Sequence, residues 1–103
     1  MIAIYPSGQK SASGQIIDEK FYYCGAILRT TAATAYSLQI HNCSSIGTPS
    51  AANMIAELSV PAVADTCVVD SPKGAIECPD GIQAVLSTGT TARYHVRGSA
   101  LPF

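Results

Sequence analysis

The chain has 103 residues, enough for one core and too few for two. It is 48% hydrophobic and only 13% charged, which excludes disorder as its main state. Six Lys+Arg against seven Asp+Glu give a net charge of -1, which excludes a dedicated nucleic-acid binder and a basic membrane-surface helix.

Met1 to Tyr5 is a short apolar run that ends at Pro6. It lacks the basic start and longer apolar stretch of a secretory signal. Assembly in cytoplasm, with Cys24, Cys43, Cys67 and Cys78 as reduced thiols, is therefore expected. The piece Ile2-Ala3-Ile4-Tyr5 has the character of a strand added to a sheet edge, in this chain or a neighbour. Residues 6–14 are Ser/Gly-rich and read as a loop or extended arm, so residues 1–20 are expected to form an N-terminal arm.

From Phe21 the pattern is strand after strand. Phe21 to Arg29 is rich in strand formers. Tyr36, Leu38 and Ile40 share one face, with Ser37, Gln39 and His41 on the polar one. Residues 50–58 contain helix formers, but Met54, Ala56, Leu58 and Val60 keep period two up to Pro61, so a strand is expected. Cys67 to Val69 is a short apolar run. Pro79-Asp80-Gly81, between Gly74–Cys78 and Ile82–Leu86, is a hairpin signal, because the favoured turn needs φ > 0 at both central positions. In the last strand Ala92, Tyr94 and Val96 share one face, and Arg93, His95 and Arg97 the other. Strands recurring about every ten residues imply an all-β chain, an antiparallel β-sandwich of jelly-roll or Ig-like type. Residues 21–98 form that domain, and residues 99–103 a short C-terminal tail.

Chemistry is hard to place on this pattern. No Gly-x-Ser-x-Gly elbow occurs, and no cysteine stands in a protease context, so no catalytic residue is assigned. His41 and His95 read as surface histidines. His41, Cys43, Cys67 and Cys78 lack the paired spacing of a zinc module, and the acids never form an Asp-x-Asp calcium loop. No metal or other cofactor is expected. Two features read as contacts. The stripe Arg93, His95 and Arg97 suits an acidic partner, or protects a strand face against aggregation. The ends, Ile2, Ile4 and Tyr5 at one and Leu101 and Phe103 around Pro102 at the other, are apolar anchors for a neighbour or for the chain's own domain.

Between Ala26 and Gly98 the chain resembles small all-β phage virion proteins. The likeness rests on Gly25-Ala26-Ile27-Leu28, Tyr36 to Ile40, a small-residue loop through Gly47, and Met54 to Leu58. It continues through Cys78-Pro79-Asp80-Gly81-Ile82, Thr88-Gly89-Thr90 and the closing Tyr94-His95-Val96. The cysteines and the apolar tail are not part of that pattern. The resemblance implies a β-sandwich, frequent trimers and no catalysis, as in capsid decoration (cement) proteins. The expected partners are the major capsid protein or other virion proteins and sister copies, with a trimer favoured, and neither nucleic acid nor membrane. The expected place is the capsid surface of a virion. The rival reading is a carbohydrate- or receptor-binding β-module using Tyr22, Tyr23 and Tyr36, or a tail or baseplate component.

Overall fold

Alternating apolar residues bury one side of each strand, and the apolar sides of two sheets need each other. The computed structural model describes residues 5–6 (backbone), 10–87 and 92–99. Among these there is no helix. The strands are β1 (Tyr5–Pro6), β2 (Gly14–Ile17), β3 (Phe21–Thr30), β4 (Tyr36–Asn42), β5 (Met54–Val60), β6 (Thr66–Asp70), β7 (Ile76–Cys78), β8 (Ile82–Leu86) and β9 (Ala92–Ser99). The larger sheet has the order β1-β9-β3-β6, with β7 also on β3, and the smaller has the order β2-β8-β4-β5. Every pairing is antiparallel. Phe21, Tyr23, Leu28, Tyr94 and Val96 of the larger sheet and Leu38, Ile40, Leu58 and Ile82 of the smaller belong to one buried cluster. Each fully buried Leu or Ile there contributes about 1.5–3 kcal/mol.

The paired body begins before Phe21. Lys10 exchanges backbone hydrogen bonds with Tyr94 (2.7 and 2.9 Å), β2 pairs with β8, and Ile16 enters the core. The Tyr94 hydroxyl donates to Ala12 O at 2.6 Å. The expected arm is therefore part of the sheets from Lys10 onward. At the other end β9 runs past Arg97, and Ser99 is buried.

Two local expectations are corrected. The Asp80-Gly81 turn does not close a hairpin: β7 pairs with β3 in the larger sheet, while β8 lies between β2 and β4 in the smaller. Of the two turn residues, Gly81 alone has positive φ (106°), so the hairpin turn with two such residues is not formed. The corner's polar groups go to β4 and its following loop instead: Asp80 N–H donates to Asn42 Oδ1 (3.0 Å) and Cys43 N–H to Gly81 O (3.1 Å). His41 is likewise no surface histidine but 1% exposed. The register shifts after Ile40, which pairs with Ala56, while His41 pairs with Met54. The extra residue is Ile55 of β5, whereas β4 stays in unbroken register with β8, so His41 remains on Gln39's side and is buried there against Asn53 of the following loop.

In β3, Tyr23 pairs with Gly98 and Gly25 with Arg97, leaving Cys24 as the extra residue of a bulge. Gly25 has φ 145°, and a Cβ there would strike the Asp70 carbonyl oxygen. Glycine is what lets β6 and the chain after it lie this close.

Candidate interaction surface

The outward residues of the larger sheet are set by the registers of β3, β6 and β9. Arg29 pairs with Arg93 on one side and Cys67 on the other. Ile27 pairs with His95 and with Val69. Gly25 pairs with Arg97. Arg29, Cys67, Val69 and Arg97 are exposed, and Ile27, Arg93 and His95 half-buried. The stripe expected on β9 is there, and the neighbouring strand adds Arg29. All three arginines of the chain thus stand on one sheet.

The electrostatics are one-sided. Arg29 and Arg93 are directly opposite, an arrangement that disfavours the isolated fold by a few tenths of a kcal/mol. None of these three rows holds an acid. The only ion pair among the described residues is Lys20–Glu77 (3.7 Å), at the far end of the sheet, where the Lys20 ammonium also lies 5.6 Å from the Tyr22 ring centre. Other acids are engaged elsewhere: Asp70 accepts from the Tyr23 hydroxyl (2.5 Å), Glu57 from Gln39 (3.1 Å), and Asp18 from Ser45. The Ser45 hydrogen bonds hold the Asp18 carboxyl below its ordinary range. Arg93 Nη1 donates to its neighbour's carbonyl, Ala92 O, at 2.9 Å. The face that results is basic and partly apolar, suited to an acidic protein surface.

The remaining expected contact residues fall differently. Tyr5 is described in its backbone only, paired with Gly98. Ile2, Ile4, Leu101 and Phe103 lie outside the described residues. Of the aromatics a sugar ligand would want exposed, Tyr23 and Tyr36 are in the core and Tyr22 is half-buried.

His41 has a structural explanation. Its Nδ1 lies 2.7 Å from Asn53 Oδ1 and its Nε2 3.1 Å from Gln39 Oε1. Asn53 also accepts from Ser50 N–H (2.9 Å) and donates to Thr48 O (3.1 Å), so the ring braces the loop that joins β4 to β5. Among the described residues no three His, Cys, Asp or Glu side chains gather where a metal could bind.

All four cysteines are free thiols, in unlike surroundings. Burial pushes the Cys78 thiol up to about 11 and raises that of half-buried Cys24. Cys43 is buried and Cys67 exposed. Iodoacetamide at pH 8 should therefore modify Cys67 first, because the Cys78 thiolate fraction there is roughly a thousandth. Peptide mass spectrometry checks this. Equal labelling of all four in the folded chain would contradict the described burial.

Compared with protein-family models, curated proteins and solved structures, the chain has no match.

Proposed function

We propose that this chain is a non-enzymatic virion structural protein, a capsid decoration protein that binds the assembled shell and bridges neighbouring capsid subunits. What supports this reading is the basic face on the larger sheet together with the nesting of the strand pairs. β1 lies beside β9, β2 beside β8, β3 beside β6 and β7, and β4 beside β5. Counting β6 and β7 as one broken strand, we read these pairs as a hairpin ribbon rolled into two sheets, the arrangement of the jelly roll used by viral capsid domains, lectins and cupins. Fold alone does not choose among those functions. The arginine face supports the protein-binding one, and the burial of Tyr23 and Tyr36 weighs against the sugar-binding one.

On this reading the basic face of the larger sheet meets acidic surfaces of adjacent shell subunits. Such a protein binds the assembled lattice and not the free subunit, so it stabilises the shell by mass action. A homo-oligomer, with a trimer favoured, multiplies weak contacts by avidity. The site of action is the capsid surface, reached after assembly in the host cytoplasm.

Co-sedimentation tests it. The purified chain is mixed with heads that lack it, from the phage that encodes it, and pelleted. Saturable binding is expected, with a roughly 100-fold loss of affinity in Arg93→Glu/Arg97→Glu, two opposed charges at a contact being worth about 1–2 kcal/mol each. No binding by the wild-type chain, or equal binding by the variant, would remove the decoration reading or the face assigned to it.

A further inference from the structure

A neutral imidazole has one ring N–H and one bare nitrogen, so it donates one hydrogen bond and accepts one. His41 stands where it must donate two. Its Nδ1 faces Asn53 Oδ1 at 2.7 Å and its Nε2 faces Gln39 Oε1 at 3.1 Å. Both amides are pinned by partners that cannot change role. Asn53 Oδ1 accepts from the backbone N–H of Ser50 (2.9 Å), and Asn53 Nδ2 donates to the Thr48 carbonyl oxygen (3.1 Å). Gln39 Nε2 donates to Glu57 Oε2 (3.1 Å), and an ionised carboxylate only accepts. Each amide therefore turns its oxygen to the ring. The doubly protonated ring satisfies both contacts, whereas in either neutral tautomer a bare nitrogen faces an oxygen.

The charges around the ring agree with this. Glu57 is the only Asp, Glu, Lys or Arg in β2, β4, β5 and β8, and it reaches the ring through Gln39. On the other strands no charge faces His41: Gln83 of β8 and Met54 of β5 are its register partners, and Gln15 of β2 pairs with Gln83. Cys43, two residues along, brings a thiol whose sulfur accepts from Gln83 Nε2 (3.4 Å). Asp18, beyond it, is committed to Ser45. A cation only 1% exposed thus has a single compensating carboxylate, one amide away.

We propose that His41, Gln39 and Glu57 form a proton-operated switch on the outer face of the smaller sheet. While the ring is doubly protonated, the Gln39 amide N–H holds Glu57. When Nε2 gives up its proton to water, the amide turns over and donates to the bare nitrogen. Its oxygen then faces Glu57, and the carboxylate swings into solvent. Glu57 is exposed and Gln39 half-buried, so both have room to move, whereas Asn53 is tied to the backbone at both ends of its amide. The Asn53 contact therefore survives in both states, and the loop stays braced. Acid ties Glu57 down and alkali frees it, so a buried proton sets the charge pattern of the surface above it. The switch lies on the other sheet from the arginine face and does not depend on shell binding.

Nuclear magnetic resonance of the full chain, labelled with nitrogen-15 and followed from about pH 5 to 9, tests it across the ordinary histidine range. In the wild type both His41 ring nitrogens should carry protons at the acid end. The Gln39 side-chain amide signals should move with the same midpoint as the ring. Glu57→Gln replaces the carboxylate by a group that accepts or donates, so the Gln39 amide is no longer pinned. His41 should then hold its second proton about ten-fold less tightly. His95, on the larger sheet, is the internal control and should titrate alike in both proteins. Circular dichroism melts show that the variant is folded, and Glu57→Ala takes its place if it is not. A His41 ring that stays neutral at the acid end, Gln39 signals indifferent to its titration, or a midpoint unmoved by the substitution would overturn the proposal.

Discussion

Gly98→Ala is expected to cost about 3 kcal/mol or more, a large part of the 5–15 kcal/mol by which a domain of this size is stable. A Cβ at Gly98 would strike the Tyr22 carbonyl oxygen and two ring atoms of Phe21. Neither has room to move. The carbonyl belongs to the β3 backbone, held between β9 and β7, and Phe21 is 0% exposed in the core. Adding a methyl group there parts β9 from β3 or drives an aromatic ring off its rotamer. Gly14→Ala is the control, because a Cβ at Gly14 meets nothing within 4 Å. Urea midpoints should fall steeply for Gly98→Ala and hardly move for Gly14→Ala. Equal midpoints for Gly98→Ala and wild type would mean that β3 and β9 do not pack this closely.

Alkaline pH should weaken the fold by a similar amount. Burial pushes the Cys78 thiol from 9.0 up to about 11 and the Tyr94 phenol from 10.0 up to about 12. Burial first, and then the hydrogen bond to Asp70, raise the Tyr23 phenol as well. Between the two values of each pair the unfolded chain has released its proton while the folded chain still holds it. Stability therefore falls as pH rises. Cys78's share is intact below pH 9.0 and lost towards about 11, and Tyr94's is intact below 10.0 and lost towards about 12. Each contributes about 2–3 kcal/mol. Urea midpoints measured from pH 8 to 12 should drop accordingly. In Tyr94→Phe the fall above pH 10 should be shallower by about 2 kcal/mol, although the variant starts lower for want of the hydrogen bond to Ala12. A wild-type profile flat up to pH 11.5 would contradict the burial of these groups.

Strands with clean alternation are legible in the amino-acid sequence alone. β4, the second half of β5 and the outer stripe of β9 follow directly from period two, but at the start of β5 the bulge at Ile55 leaves Met54 exposed and turns Ile55 to the core instead. What period two cannot carry is register. Arg29 is visible as the end of a strand, but only the β3–β9 ladder places it against Arg93 and completes the basic face. Bulges hide in the same way. The extra residue in β5 is Ile55, and His41, on the polar side of β4 with Gln39, is buried because Asn53 of the following loop folds over it, so a residue with polar neighbours becomes a loop brace. Gly25 inside an apolar run is a readable signal, since glycine within a strand marks a bulge or a close backbone approach. The Asp80-Gly81 turn misleads because local turn chemistry says nothing about which sheet takes up the chain beyond it. Ile16 and Ile17, an apolar pair in a polar stretch, point to β2, but the Ser/Gly composition around them masks the signal.

As a decoration protein, the function proposed for it, this chain would be a stoichiometric part of a virion. On that reading a phage encodes the chain, and particles of that phage, banded by density and analysed by quantitative mass spectrometry, decide it. The chain should remain with the particles through banding, in fixed proportion to the major capsid protein. Its absence from banded particles, or recovery only in trace and variable amounts, would contradict the claim.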